Sequence, residues 1–564
     1  MPNQSLEKKH TVSYKLLVAI LFIALLVRLY WVITQAAVIE NEGGEYARIA
    51  ENLLKGNGYV GTTEGPQLLF PPLYPILIAI FSLVTGDSEV AGRLVSLVIG
   101  TSLILPIFFI SLHIYGRKVA FIAASLVAFH PLLISLSAAV YSEPTFMTLT
   151  MAGVYWGLRA IELKSLKHSI LSGICFGLTY LTRPEAVIYP FLTTLMIFIV
   201  TLINKEKLRK AAFTSLGLLI PFVLLAIPYI AFLSFQIGQI RFEGKSNIHY
   251  TISRRESSGM SYLEAAFGID ENLREEGPLL NPNLFVSHSV YNISPRELAR
   301  SFYMNAKHNI KTLRKIVFRS KSFGSPILIG LVLVGVFRKA WSYKRIIQEG
   351  FILIIVSSMV LTVLSAHDLW FRYTFPFLPF LILWASKGIE ELAIWSHSTA
   401  KSIKFNFLLS SKHIGICVRW ALSIIFILFS IRGIILEGPS EFEQAKSIYA
   451  PVKKAGLWLD KYMPGPKKIM STGTVVPYYS KGRWLPFPYA DSTLSLKYIH
   501  LKHPDFIILI GSNLHTPYLQ EWIKNGIPDE NAHLIYDRGN TIEEKILIYQ
   551  WDSQHVNRRA KMLF

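Results

Sequence analysis

Four short turns in this chain hold side chains of the types and spacing that proton transfer and anion binding need. The first is Glu40-Asn41-Glu42-Gly43-Gly44-Glu45-Tyr46. The others are Tyr141-Ser142-Glu143-Pro144, Thr182-Arg183-Pro184-Glu185 and His367-Asp368-Leu369-Trp370-Phe371-Arg372-Tyr373. Each turn interrupts apolar sequence, and an ionised side chain beside a bilayer is costly, so it marks a functional site by default. A carboxylate such as Glu42 or Glu143 can take a proton from a hydroxyl. The guanidiniums of Arg183 and Arg372 can grip a phosphate through two parallel hydrogen bonds. Plainer roles stand beside these. Glu42, Glu45, Glu143 and Glu185 sit where a helix start favours negative charge, with Pro144 and Pro184 suited to a first turn. Arg183 could pair with Glu185 and Arg372 with Asp368, and His367 is either a proton relay or a hydrogen-bonded structural residue.

The elements that must hold these turns are membrane spans. The chain is 52% hydrophobic and only 17% charged, with mean hydropathy +0.39, less charge than a soluble protein of this length carries. Apolar runs of about 17–25 residues recur from about residue 15 to about residue 435, each long enough to cross a bilayer. Eleven spans are expected, near 15–36, 93–113, 119–139, 145–161, 168–182, 186–203, 211–235, 325–338, 350–366, 374–391 and 415–435. With the N-terminus cytoplasmic, the short lysine-rich loops then fall inside and the carboxylate-bearing turns outside. The positive-inside pattern accounts for much of the net charge of +20, so nucleic acid is not the expected partner. The N-terminal apolar run contains Arg28 and is too long for a cleaved signal, so it reads as the first span. Phe70-Pro71-Pro72-Leu73-Tyr74-Pro75, continuing to about Val84, reads as a re-entrant or surface-lying helix.

Residues 1–435 are expected to form the membrane domain, including outer loops 37–91 and 236–323. Tyr46, Ile49, Ala50, Leu53 and Leu54 recur at helical spacing, giving an amphipathic helix on the membrane that Lys55-Gly56-Asn57-Gly58 stops. In the second loop, Arg241, Lys245, His249, Arg254 and Arg255 interleave with Phe242 and Tyr250, as a headgroup- or sugar-binding surface or a solvated loop would. Residues 436–564 change character. Strands near Lys468–Ser471, Asp505–Ile510, Leu534–Asp537 and Lys545–Trp551 alternate with helical patterns such as Gln444–Tyr462, giving a soluble α/β domain outside the membrane. Cys175 and Cys417 have no metal-ligand spacing, form no disulfide framework and read as small core residues.

In their order along the chain these turns resemble the GT-C fold glycosyltransferases that use polyprenyl-phosphate sugars, in the superfamily of aminoarabinose transferases and protein O-mannosyltransferases. The residues that carry the resemblance are Glu42-Gly43-Gly44-Glu45-Tyr46-Ala47-Arg48, Pro71-Pro72-Leu73-Tyr74-Pro75, Arg93-Leu94-Val95-Ser96 and Tyr115-Gly116-Arg117. Ser142-Glu143-Pro144, Thr182-Arg183-Pro184-Glu185 and Arg372-Tyr373 with Pro376 and Pro379 complete the set. The resemblance covers about residues 15–390. It implies an all-α polytopic fold with juxtamembrane helices, Glu42 as catalytic carboxylate and Glu143 as the second acid. Arg183 and Arg372 would hold the donor phosphate, with Glu45, Tyr46, Tyr74, Glu185, His367 and Asp368 near the substrate. Two departures stand out. The family often has Asp, commonly followed by Glu, where this chain has Glu42-Gly43. Some members place a donor-phosphate lysine near the Pro-Pro step, where this chain has Phe70-Pro71.

The expected activity is inverting transfer of a monosaccharide from a polyprenyl-phosphate donor, at the outer face of the plasma (inner) membrane, to a hydroxyl on a glycan, lipid or protein. A phosphate leaving group requires no metal or other cofactor. The rival readings are a secondary transporter, which would place its charges near the bilayer midplane, and a membrane scaffold without catalysis.

Overall fold

The computed structural model describes residues 14–35, 38–281, 295–319, 325–365, 371–402, 411–438, 444–514 and 516–552. His367 and Asp368 lie outside them.

Among the described residues five helices are long and apolar enough to cross a membrane: Tyr14–Thr34, Ser88–Tyr115, Pro184–Ile203, Leu208–Ile237 and Tyr343–Ser365. Shorter apolar helices, including Ile327–Phe337 and His413–Leu428, lie among them. The first helix, α1 (Tyr14–Gln35), holds the fully buried Arg28. Its guanidinium donates to the carbonyls of Val127 and Ala128 at 3.0 and 2.9 Å. Those carbonyls belong to the last turn of the helix Arg117–Phe129, where backbone acceptors lack intrahelical partners and a cation is favoured. An arginine inside an apolar run is thereby a cap.

The expected third span, 119–139, is not one helix. It breaks at His130-Pro131, because the residue before a proline is driven out of the helical region, and His130 is extended at ψ 118. The second span begins earlier than expected, at Ser88, since the Asp87 carboxylate caps the Val90 N–H at 2.8 Å.

The helix after the first span, α2 (Asn41–Leu54), ends at Lys55, followed by Gly56 at φ +75. The proline-rich run forms α3 (Leu73–Thr85), of 13 residues. At 1.5 Å per residue it reaches about 20 Å, short of the roughly 30 Å hydrocarbon core. It packs between α2 and α4 (Ser88–Ser102).

Beyond residue 444 the chain forms a mixed five-stranded sheet. Its strands are β1 (Lys468–Ser471), β2 (Arg483–Pro486), β3 (Phe506–Ile510), β4 (Ala532–Arg538) and β5 (Ile546–Trp551), in the order β2-β1-β3-β5-β4. The first three are parallel, and β5 runs antiparallel to β3 and β4. This unit is not tethered loosely. One apolar core joins Ile39, Tyr46, Ala50, Tyr74 and Val95 to Val452, Leu459, Tyr478, Tyr479 and Ile508. The Arg48 guanidinium of α2 donates to the carbonyls of Pro477 and Tyr478 at 3.2 and 2.8 Å. The Tyr479 hydroxyl donates to Glu89 at 2.9 Å, and Lys453 pairs with the same carboxylate at 3.0 Å. The two cysteines divide: Cys175 is half-buried, whereas Cys417 is exposed rather than a core residue.

Candidate active site

Glu42 lies in the first turn of α2. Beside it Gly43 has no side chain for a steric reason: a Cβ there would meet Ile39 Cγ1 at 2.9 Å and the Val140 carbonyl oxygen at 3.0 Å. The missing methyl lets α2 rest directly on the backbone turn that leads into the helix Glu143–Leu163. Glu143, with Pro144 behind it, opens that helix, so the two acidic turns abut. Arg183 follows the helix Leu166–Tyr180, its N–H bonded to the Thr179 carbonyl at 2.9 Å. Arg372 comes from the 3₁₀ turn Phe371–Phe377.

These four side chains converge. Arg372 Nη2 lies 2.9 Å from Glu42 and 2.5 Å from Glu143, and Arg372 Nε donates to the same Glu143 Oε1 at 2.9 Å. Arg183 Nη1 reaches that oxygen at 3.1 Å, while its Nε donates to Glu185 at 2.5 Å. The arginines also lie over aromatic rings, Arg372 over Tyr141 at 5.1 Å and Arg183 over Phe146 at 5.5 Å. Glu143 is 1% exposed, and its second oxygen has no hydrogen-bond partner among the described residues. Glu42 is 36% exposed and is the more accessible carboxylate of the pair.

Burial alone would raise the Glu42 pKa, but Arg372, Lys245 and Arg183 outweigh it and hold the carboxyl down at about 2. The carboxylates in turn push the ionisation of Arg372 and Arg183 above the usual arginine range, against the opposing effect of burial. Glu40 behaves oppositely. Burial raises its pKa, although it accepts a hydrogen bond from the Tyr141 hydroxyl and feels Arg372.

Of the other residues named from the sequence, Glu45, Tyr46 and Tyr74 have polar atoms engaged within the protein. Glu45 accepts from the Thr62 N–H at 2.9 Å, from the Thr62 hydroxyl and from the Gln67 amide at 2.5 Å, and so pins the loop after α2. Burial raises its pKa against those bonds. Tyr74 is fully buried, with its hydroxyl 2.8 Å from Ser96. The Tyr46 ring stacks edge-on against Phe70 and Tyr74, each at 5.1 Å, and its hydroxyl lies 3.4 Å from Ser142 Oγ, beside Glu143.

Sequence reasoning placed Lys245 on a diffuse basic surface, yet it belongs to this cluster. Gly244 passes so close to the Leu68 carbonyl that a Cβ would sit 1.9 Å from it. That approach sets Lys245 Nζ over the Phe70 ring at 4.4 Å. Burial, resisted by Glu42 and aided by Arg183, lowers the Lys245 pKa. A lysine from a loop distant in sequence thus stands beside Phe70, at the Pro-Pro step. The only sequence signal was a lysine near aromatic residues. Of the other bases in that loop, Arg241 is buried and Arg255 pairs with Glu276 at 3.0 Å.

Residues 70–232, which include Glu143, Arg183 and Glu185, match the family model described as dolichyl-phosphate-mannose-protein mannosyltransferase. The GPI mannosyltransferase pigv-1 of Caenorhabditis elegans is 36% identical over 95 residues, 16% of this chain, and the matched region spans 14% of that relative's length. Among solved structures, the oligosaccharyltransferase of Archaeoglobus fulgidus superposes with a TM-score of 0.59 at 12% identity, over 89% of this chain and 70% of that one. The same organism's AglB, in complex with an inhibitory peptide and a dolichol-phosphate, superposes at 0.57 and 12% identity, over 88% and 70%. The chain therefore carries the GT-C membrane fold, and between residues 70 and 232 it matches the protein mannosyltransferase family model.

Proposed function

We propose that the chain is a membrane glycosyltransferase that moves a monosaccharide from a polyprenyl-phosphate donor to an acceptor hydroxyl, with inversion, at the outer face of the membrane. The observation that carries this reading is the meeting of Glu42 and Glu143 on Arg372, with Arg183 and Lys245 beside them. A carboxylate open to the outside next to a group of cations is what base-assisted displacement of a phosphate requires.

In the proposed reaction the donor phosphate lies against Arg372, Arg183 and Lys245. Glu42 takes the proton of the acceptor hydroxyl as its oxygen attacks the anomeric carbon. The bond from that carbon to the phosphate oxygen breaks, and the polyprenyl phosphate leaves with its charge held by the cations. Glu143 is a positioning acid. Its Oε1 holds both arginines. In the free protein Arg372 keeps Glu42 a weak base. A phosphate that draws Arg372 away leaves burial to raise the basicity of Glu42, so donor binding arms the base.

The matching family model and the curated relative are both described as mannosyltransferases, so a mannosyl donor is the first to supply. Membranes containing the chain, given radiolabelled polyprenyl-phosphate mannose, should move label from the carrier to an acceptor fraction. Membranes with Glu42→Gln should leave it on the carrier. Equal release with and without the chain, for mannosyl and other polyprenyl-phosphate monosaccharides alike, would refute the reading.

A further inference from the structure

The helix Pro295–Arg319 is not used by this mechanism, and its composition is unusual. It carries seven lysines and arginines against one acid, Glu297. Its place is fixed by two asparagines. Asn305 Nδ2 donates to the Ser365 carbonyl at 3.1 Å, and Asn309 Nδ2 donates to the Val363 carbonyl at 3.2 Å. These carbonyls end the membrane-length helix Tyr343–Ser365, where intrahelical partners run out. The asparagine-bearing helix therefore sits at the end of a span, a few residues before Arg372.

Around its circumference three zones follow one another. Asn305, Asn309 and Leu313 form the seam with the span. Next to it Tyr303 and Ile310, seven residues apart and hence on one line of the helix, are 63% and 55% exposed. Beyond these Arg300, Lys307, Lys311 and Arg314 are exposed and form a stripe at spacings of seven, four and three. An apolar line between a membrane-spanning helix and a basic stripe is the profile of a helix lying in the headgroup layer. A water-facing helix would gain nothing from the exposed Tyr303 and Ile310, and lysines at this end run against the segregation of basic residues to the other loops.

We propose that the helix Pro295–Arg319 is a docking surface for the anionic phospholipids of the leaflet that adjoins the catalytic turns. Its apolar line enters the headgroup boundary, and its basic stripe gathers lipid phosphates beside the mouth of the site. The proposal does not depend on sugar transfer, and its test reads no activity.

The full chain carrying Ile310→Cys is labelled with bimane and reconstituted into vesicles. The unsubstituted chain, labelled in parallel, gives the background from Cys175 and Cys417. Headgroup-proximal nitroxide lipid should quench the label, about twofold more in vesicles containing phosphatidylglycerol than in phosphatidylcholine alone, with the difference lost in high salt. Adding Arg300→Gln, Lys307→Gln, Lys311→Gln and Arg314→Gln should abolish the preference while leaving the quenching in phosphatidylcholine. A label quenched by aqueous iodide and not by lipid overturns the proposal. So does protection from both quenchers, which would mean that protein covers this face. Equal quenching in the two lipids, or a preference that survives the four substitutions, overturns the role of the basic stripe.

Discussion

Glu42 and Glu143, far apart in sequence, share one nitrogen: Arg372 Nη2 stands 2.9 Å from the first and 2.5 Å from the second. Two carboxylates this close would drive one toward protonation unless a cation stood between them. The arginine bridges both, and exposure separates their tasks. The more exposed Glu42 can meet an acceptor, whereas the enclosed Glu143 can only organise.

Removing Arg372 should therefore damage more than donor binding. Arg372→Gln leaves Glu143, 1% exposed, with Arg183 as its remaining ion-pair partner. Loss of one partner of a buried pair costs about 3–5 kcal/mol. Thermal unfolding of the purified variant should shift downward. Arg372→Lys keeps the charge but loses the two-nitrogen hold on Glu143 Oε1, and should fall between the two.

The pH profile carries a sign that can be checked. The folded pKa of Glu42, about 2, lies below its ordinary value of 4.5. Its ion-pair stabilisation is thus fully present above the ordinary carboxylate range and is lost as pH falls toward 2. In the free enzyme Glu42 stays ionised through the working range, so it gives kcat/KM no acid limb there. With donor phosphate competing for Arg372, the acid limb of kcat should lie at higher pH than any in kcat/KM. Coincident limbs would contradict the coupling of donor binding to base strength.

Lys245 stands over Phe70 and acts on the cluster through space. Lys245→Ala should raise the donor KM about tenfold or more, as loss of a charge-assisted hydrogen bond of about 1.5–3 kcal/mol does, with a smaller effect on kcat. Lys245→Arg should recover part of the affinity. Steady-state kinetics over a range of donor concentrations separates the two parameters.

Gly43→Ala tests the packing that brings the acidic turns together. The added Cβ would lie 2.9 Å from Ile39 Cγ1 and 3.0 Å from the Val140 carbonyl, so α2 must move off the turn before Glu143. Overpacking of this kind costs about 1–3 kcal/mol. Transfer should fall further than that loss of stability accounts for, since a misplacement of about 1 Å can cost a factor of about 100 in rate.

Much of this arrangement was legible in the sequence. The strand Lys468–Ser471 and the helix Gln444–Tyr462 have the bounds that alternation and helical periodicity give, and the other expected strands overlap β3, β4 and β5. Arg183 and Arg372 stood out because positive charge at those turns breaks the local pattern. The parts that were missed depend on tertiary contact. β2 has only four residues, ends in Pro486, and is a strand because it pairs with β1. Lys245 reaches the site because Gly244 slips against the Leu68 carbonyl, which no local pattern encodes. Arg183 makes the expected pair with Glu185 and also reaches Glu143, while the expected pairing of Arg372 with Asp368 lies outside the described residues.

The most direct measurement compares wild type and Glu42→Gln, purified and reconstituted with a polyprenyl-phosphate monosaccharide, for donor binding and for transfer. The variant should fold and bind donor, while kcat falls by about 10²–10⁴, the range a general base supplies. Transfer by the variant at the wild-type rate would contradict it.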